Sequence, residues 1–409
     1  MAKEAHIRLR ERILRAFAVL LVLTLLVAFV IFTFPQRIND LDFSEYYAAG
    51  QIVRQGLGRQ LYDLKLQLAF QLKLAQPHVF YNHPPFEALL FVPLTLLSYP
   101  AAYLSWVLLS VGLLTYAAVM IRSNTNVISA LSRYARIQAD FGLILLLFMT
   151  FAPVTTCLLL GQDSPLLLLI YTLTFILLRC RREFWAGCML AGGLFKFQLI
   201  VPFVVVLVLR RKWSFVKGFA LIGALLILIS ILVSGPAVLI EYPRFLLLNP
   251  VYQQVAGFAP EYMPNIRGFV YLLLKGRAAA LSAMLVLGGS VLVTWLAAKN
   301  WNDRRFEFSF SAAVLAALLV SYHLYNYDLT LLLLPISILC GELVALDRLL
   351  FRPALLISLV VLFIPPLHRL LLLHSMYALM SIPVIMLLIE TFRVSRKNAL
   401  GAATIGAVS

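Results

Sequence analysis

The sequence predicts an all-α protein, a polytopic bundle of about ten membrane-spanning helices with re-entrant and interfacial amphipathic helices added. Two observations predict it. Hydrophobic residues make up 62% of the chain and its mean hydropathy is +0.93, where soluble domains are only about half apolar. The apolar runs also have the length that a roughly 30 Å hydrocarbon layer asks of a helix, and no strand-like alternation of the barrel kind is visible.

The elements follow in chain order. Ile13 to Phe34 is too long for a signal-peptide core and ends in Phe34, Pro35 and Gln36 with no small-residue cleavage site, so it is expected to stay as the first span. Nine further spans are expected at 101–121, 139–160, 165–179, 214–234, 278–298, 307–322, 329–345, 354–373 and 376–392. Two apolar stretches do not fit this weave. Residues 84–98 would start and finish on one side and are expected to be interfacial or re-entrant. Residues 185–209 carry "FKFQ" at their midpoint, which predicts two half-helices meeting inside the membrane, where irregular backbone survives only if it lines a protein cavity.

Charge sets the orientation. The net charge of +16 is dispersed over short loops and forms no basic domain face, which excludes a nucleic-acid partner. Seven clusters, at Lys3–Arg15, Arg122–Arg136, Arg179–Arg182, Arg210–Lys212, Lys299–Arg305, Arg348–Arg352 and Arg393–Lys397, hold 22 of the 34 Lys and Arg. Placed on the cytoplasmic side, as the positive-inside rule expects, they put both termini inside. The chain then divides into a cytoplasmic N-terminal segment 1–12, one transmembrane domain 13–392 with large outer loops 35–83 and 235–277, and a cytoplasmic tail 393–409. The small, uncharged end of that tail is expected to be disordered.

Nine of the eighteen carboxylates fall on the outer side: Asp40, Asp42, Glu45, Asp63, Glu87, Asp163, Glu241, Glu261 and Asp328. Chemistry is expected there. In the first loop, "SEYYAAGQIVRQGLG" and "LYDLKLQLAFQLKLA" each read as an amphipathic helix lying at the interface. Cys157, Cys180, Cys188 and Cys340 have no CxxC spacing, so free thiols are expected, with neither a zinc site nor a disulfide.

The candidate site is built from that leaflet. Asp42 lies between Leu41 and Phe43, with Glu45, Tyr46 and Tyr47 a turn later, a setting for the partly buried wall of a cleft; a solvated loop charge is the alternative reading. "FYNHPPFE" supplies Tyr81, His83 and Glu87, "LLGQDSP" supplies Gln162 and Asp163, "YMPNIRGF" supplies Asn265 and Arg267, and "SYHLYNYDL" supplies His323, Tyr325 and Asp328. Lys196 is an ionisable group inside an apolar segment, which marks function unless it snorkels or pairs with a carboxylate. Carboxylates on one wall with Lys196, Arg267 and His323 as cations suit an anionic lipid headgroup beside a proton acceptor.

"DFSEYYAAG", "YNHPPFEALLFVPL", "GQDSPLLLL", "GLFKFQLIVP", "MPNIRG" and "SYHLYNYDLTLLLLP" together resemble, in order and spacing from about residue 39 to 345, glycosyltransferase family 87, formerly a domain of unknown function. That family includes polyprenol-phosphate-mannose-dependent transferases that elaborate phosphatidylinositol mannosides. The chain departs from it at Lys196-Phe197, where members commonly carry Lys-Pro, and at Ser321-Tyr322, where they carry Ser-Pro.

The resemblance implies a bundle of the C-type glycosyltransferase kind in a bacterial inner membrane. It would move a sugar, mannose by the family's bias, from a polyprenyl-phosphate donor to a glycolipid or glycan hydroxyl on the periplasmic side, with inversion. Asp42 matches the superfamily's general base. Lys196, Arg267 and His323 are expected at the donor phosphate. Glu45, Tyr46, Tyr47, Tyr81, His83, Gln162, Asn265 and Asp328 are expected around sugar and acceptor. Asp40 and Asp42 read "DLD", a spacing that would serve a divalent metal, but Asp40 ends the first helix as a boundary charge, so no metal and no cofactor is expected. The rival class is a lipid or lipid-linked-sugar flippase, since broken helices and a mid-membrane lysine are also transporter features. The lack of an inverted repeat and the one-sided polar groups weigh against it.

Overall fold

The computed structural model describes residues 41–74, 80–135, 140–248, 259–345 and 352–405, together with position 19. The expected segment 1–12, the span 13–34 and Asp40 lie outside them, as do 249–258 of the second long loop and the last four residues. Among the described residues the only regular structure is helical, so this is an all-α membrane protein. In chain order the α-helices are α1 (Phe43–Arg54), α2 (Leu64–Gln71), α3 (Pro85–Phe91), α4 (Tyr99–Asn124), α5 (Val127–Ala135), α6 (Phe141–Thr150), α7 (Ala152–Leu160), α8 (Ser164–Arg179), α9 (Glu183–Ala191), α10 (Phe197–Leu209), α11 (Trp213–Ser234), α12 (Val238–Leu248), α13 (Ile266–Leu274), α14 (Ala279–Lys299), α15 (Phe306–Val320), α16 (Leu333–Ala345), α17 (Pro353–Leu362), α18 (Pro365–Leu373) and α19 (Ser381–Ile405).

Five described stretches are long and apolar enough to cross a membrane: Tyr99–Asn124, Trp213–Ser234, Ala279–Lys299, Asn326–Ala345 and Tyr377–Ser395. Three pairs make a crossing only when taken together, because each bends sharply: α6 with α7 by 69°, α9 with the 194–209 segment by 66°, and α17 with α18 by 70°. The middle break falls where the sequence places two half-helices, at Gly192-Gly193 followed by the tight turn Leu194–Lys196. The other two correct the expectation of straight spans at 139–160 and 354–373. Their cause is proline: Pro153 opens α7 and Pro365-Pro366 open α18, where the missing N–H and the ring forbid continuation from the preceding turn.

α8 and α15 have 16 and 15 residues, about 24 and 22 Å at 1.5 Å per residue, short of a full hydrocarbon crossing. α15 is buried without interruption from Phe308 to Leu319, the position of a helix apolar all round and enclosed by others. α14 is its opposite. Only Ala297 and Ala298 are buried, and Leu281, Met284, Leu287, Val291 and Trp295 face outward.

The helix ends sort the bundle into two ends. Arg179 of α8 reaches the Asn124 carbonyl and pairs with Glu307, Lys212 pairs with Glu183 and Asp303, and Arg305 reaches the Ser395 carbonyl. The basic turns therefore meet at one end. α8 starts at Ser164 and finishes at Arg179, so the residues around Ser164 lie about 24 Å from that end.

The first loop also corrects an expectation. α2 has the two-sided character foreseen, with Gln67, Phe70 and Gln71 buried and Lys65 exposed. α1 does not lie at an interface: Phe43 to Gly50 and Ile52 are all buried. It is covered by α3, the turn Pro93–Leu96 and α4, where the Phe43 ring meets Phe91, Tyr99 and Tyr103 and the Tyr46 ring stacks on Phe91 at 4.7 Å. At the far end, α19 runs to Ile405, past the boundary expected at 392 and into the segment expected to be disordered.

Candidate functional site

Breaks in helices bring the polar residues together. α7 ends at Gly161, whose φ of +71° is the left-handed cap that glycine adopts without strain, and a Cβ there would collide with Phe43. The close approach sets Gln162 against the start of α1, where Gln162 Nε2 donates to Asp42 Oδ2 at 2.7 Å. Asp42 precedes α1 but makes no side-chain cap bond, so its carboxylate is turned to this contact instead of to its own helix.

Lys196 ends the tight turn between the half-helices and is 2% exposed. Its ammonium donates to Asp328 Oδ1 at 2.6 Å and Ser164 Oγ at 2.9 Å, and forms an ion pair with Asp163 Oδ1 at 2.6 Å. Ser164 in turn donates to Asp328 Oδ1 at 3.0 Å, while Asp328 Oδ2 accepts from the Tyr325 N–H. A buried ammonium is tolerable in such a surrounding because it is hydrogen-bonded and two carboxylates stand beside it. The Tyr327 ring lies 4.9 Å from the Lys196 nitrogen and closes that side.

A second network runs from α3. His83 Nδ1 lies 2.8 Å from Glu87 Oε2, and His83 Nε2 lies 3.3 Å from the Tyr46 hydroxyl. Tyr46 donates to Gln162 Oε1 at 3.0 Å. Burial dominates the acid–base character of this wall. It pushes Glu45 well above the usual carboxylate range, with His83 opposing in part, and it lowers His83. His323, on the loop before Asn326, is lowered to about 3 by burial and then by Arg267, so it is a neutral imidazole at ordinary pH. One buried oxygen of Glu45 has no hydrogen-bond partner among the described residues.

The residues enclose a cavity of about 280 Å³ lined by Asp42, Glu45, His83, Gln162, Lys196, His323 and Asp328, with Asn82, Gln198, Tyr325, Asn326 and Tyr327. That is near the lower end of small-ligand sites and suits one sugar-sized group. Asn82, His83, Gln198 and His323 also line a second cavity of about 210 Å³, whose other walls are Phe195, Phe197, Leu246, Leu247 and Tyr322. A polar chamber thus shares a polar rim with an apolar one.

Five expected site residues do not line the polar chamber. Tyr46 faces inward to Gln162; Tyr47 donates to the Leu97 carbonyl at 2.7 Å and Tyr81 to the Pro84 carbonyl at 2.9 Å. Asn265 caps α13 through the Gly268 N–H and donates to the Ser321 carbonyl. Arg267 lies over the Tyr322 ring at 4.4 Å and lines a separate cavity with Tyr271, Ser282 and Ser290. Conversely, Ser164, Gln198, Asn326 and Tyr327 carry no signal that the sequence motifs single out, and Asp163 stands in the "LLGQDSP" motif without an expected role. The signal for its role is Lys196, since a lysine buried in a membrane needs carboxylate partners.

His83, Glu87 and Asp163 present ligand atoms within 4.8 Å of one another, a donor set that divalent ions accept. Asp163 also pairs with Lys196, and His83 lies against Glu87.

The model of glycosyltransferase family 87 matches residues 81–321, more than half of the chain and a stretch that contains His83, Glu87, Gln162, Asp163 and Lys196. No curated protein and no solved structure matches the chain significantly.

Proposed function

The chain belongs to glycosyltransferase family 87, and from that premise we propose that it moves a hexose, mannose by the family's bias, from a polyprenyl-phosphate donor to a hydroxyl of a glycolipid or glycan acceptor. The observation that carries this reading is the pair of adjoining cavities that share Asn82, His83, Gln198 and His323 as lining, one polar around Asp42 and the other apolar. A lipid-linked sugar phosphate has the same three parts: a polyhydroxyl head, an anion and a hydrocarbon chain.

In this reading Asp42 takes the proton of the acceptor hydroxyl. The oxygen attacks the anomeric carbon as the bond to the phosphate oxygen breaks on the opposite face, so the product is inverted and polyprenyl phosphate leaves. A hydroxyl is a poor nucleophile, and a placed base contributes roughly 10²- to 10⁴-fold. Negative charge grows on the leaving phosphate and is met by donors at the shared rim, the His323 N–H and the amides of Asn82 and Gln198. Arg267 adds long-range positive charge from its neighbouring cavity, close enough to act on His323. Lys196, enclosed between two carboxylates, works as countercharge that keeps Asp163 and Asp328 in place. Glu45, Gln162, Asn326 and Tyr327 line the space for sugar hydroxyls. No metal or cofactor takes part in these steps.

The proposed side is the periplasmic face of a bacterial inner membrane. Its support is that the site lies at the end of α8 opposite the basic turns, which the positive-inside rule puts in the cytoplasm. Family membership also favours transfer over the flippase reading.

The test is sugar release from radiolabelled polyprenyl-phosphate-mannose by purified protein in liposomes with a mixed lipid extract as acceptor. Wild type should transfer label, and Asp42→Asn should lose about 10²-fold or more while still binding the donor. Equal activity would remove Asp42 as the base. Movement of labelled lipid between leaflets without transfer would favour the flippase.

A further inference from the structure

We propose that Tyr46, His83 and Glu87 form a positioning chain that fixes which atom Gln162 turns to Asp42, and so keeps the Asp42 carboxylate aimed and unprotonated. The inference deepens the reading above and rests on Asp42 being the base.

The chain is deduced from donors and acceptors. An amide side chain has two orientations of nearly equal shape, and only its partners distinguish oxygen from nitrogen. Tyr46 has a single proton and donates it to Gln162 Oε1 at 3.0 Å. That choice leaves Gln162 Nε2 facing Asp42 Oδ2 at 2.7 Å. The reversed amide would set two oxygens at that distance and repel the carboxylate. Having given its proton, Tyr46 can only accept from His83, so the hydrogen of this ring belongs on Nε2, 3.3 Å away. His83 Nδ1 then lies 2.8 Å from Glu87 Oε2, a close polar contact that holds the ring beside Tyr46. The sense of each hydrogen bond from His83 to Asp42 is thereby determined.

Tyr46 and Glu87 are each 0% exposed and line no part of the polar chamber, so neither can touch a substrate there. Their effect must pass through Gln162. The charged or titratable groups facing Asp42 are Glu45 on its own helix, Tyr325 and Tyr327 across the chamber, and Lys196, His83 and Asp328 on its walls. Gln162 Nε2 donates directly to its carboxylate.

The experiment combines the pH dependence of kcat/KM for mannosyl transfer with infrared difference titration of the Asp42 carboxyl, both on full-length protein in liposomes. Gln162→Glu sets a second carboxylate beside Asp42, and the acid limb and the carboxyl titration should both rise by about one pH unit or more. Tyr46→Phe frees the amide to turn; kcat should fall about tenfold with donor KM unchanged and the same upward shift. Glu87→Gln still offers an N–H to His83 and should keep the wild-type profile, whereas Glu87→Leu should follow Tyr46→Phe. The proposal is overturned if Tyr46→Phe keeps the wild-type kcat and profile. It is equally overturned if Glu87→Gln is as damaging as Glu87→Leu and a chelator reproduces the loss, since His83, Glu87 and Asp163 would then be holding a metal. Should Asp42→Asn transfer sugar like wild type, the base reading fails, but the infrared titration still reports whether Tyr46 governs the Gln162 contact.

Discussion

At the scale of single residues, Lys196 shows how a costly group becomes part of the framework. Removing the ammonium while leaving Asp163 and Asp328 buried strands two carboxylates at 1% and 1% exposure. Breaking such a pair costs roughly 3–5 kcal/mol, mostly from the charge left behind. Lys196→Met should therefore lower the melting temperature in detergent and the yield of folded protein, and Lys196→Met with Asp163→Asn and Asp328→Asn should recover part of the loss. If Lys196→Met melts like wild type, the triad does not hold the break between α9 and α10 together. The sequence marked Lys196 as exceptional because an ionisable group in an apolar run is visible from its neighbours alone. It did not show that the lysine is enclosed by carboxylates, because Asp328 is 132 residues away.

At the scale of elements, the tightest contact is between α9 and α11. A Cβ on Gly187 would collide with the Phe215 carbonyl oxygen, and one on Gly218 with the Phe184 carbonyl oxygen, so the two backbones touch through reciprocal glycines. Small residues allow this approach, which is how membrane helices gain packing without a hydrophobic driving force between them. Gly187→Leu or Gly218→Leu should force the helices apart and reduce thermal stability in detergent. Gly112→Ala in α4, where nothing lies within 4 Å, should be neutral or gain about 0.5–1 kcal/mol of helix propensity. Equal melting temperatures for all three variants would refute the contact. Element identity was readable from hydropathy and the break in 185–209 from "FKFQ" at its midpoint, while the bends at Pro153 and Pro365-Pro366 were readable from proline but not foreseen. The burial of α1 was not readable, since its aromatic residues suit an interface as well as a core until α3 and α4 are seen to cover it.

For the whole molecule, the decisive arrangement is a polar chamber adjoining an apolar one at the end away from the basic turns. If the second chamber takes the first isoprene units of the donor, filling it should penalise long-chain donors. Leu246→Trp should raise KM several-fold for a long-chain polyprenyl-phosphate sugar and leave a donor truncated to one or two isoprene units unaffected. An equal effect on both would mean that the substitution acts on the sugar chamber or on folding. The distribution of cations belongs to this scale too. Lys196 is enclosed and Arg267 lines a separate cavity, so the direct donors at the shared rim are neutral groups, His323 with the amides of Asn82 and Gln198.

By itself, the sequence determined the class, the helical runs, the break within 185–209, and the residues whose polarity is out of place among apolar neighbours, Asp42 and Lys196 foremost. These follow from local physics, the cost of carrying each residue type along a helix that rises 1.5 Å per residue through hydrocarbon. Tertiary structure alone decided that Tyr46 serves Gln162, that Gln162 serves Asp42, and that Asp163 and Asp328 close on Lys196. Most of those contacts join residues more than a hundred positions apart, 116 for Tyr46 with Gln162 and 120 for Gln162 with Asp42. No periodicity in a chain records such pairings, because they depend on which helix ends meet when the bundle packs.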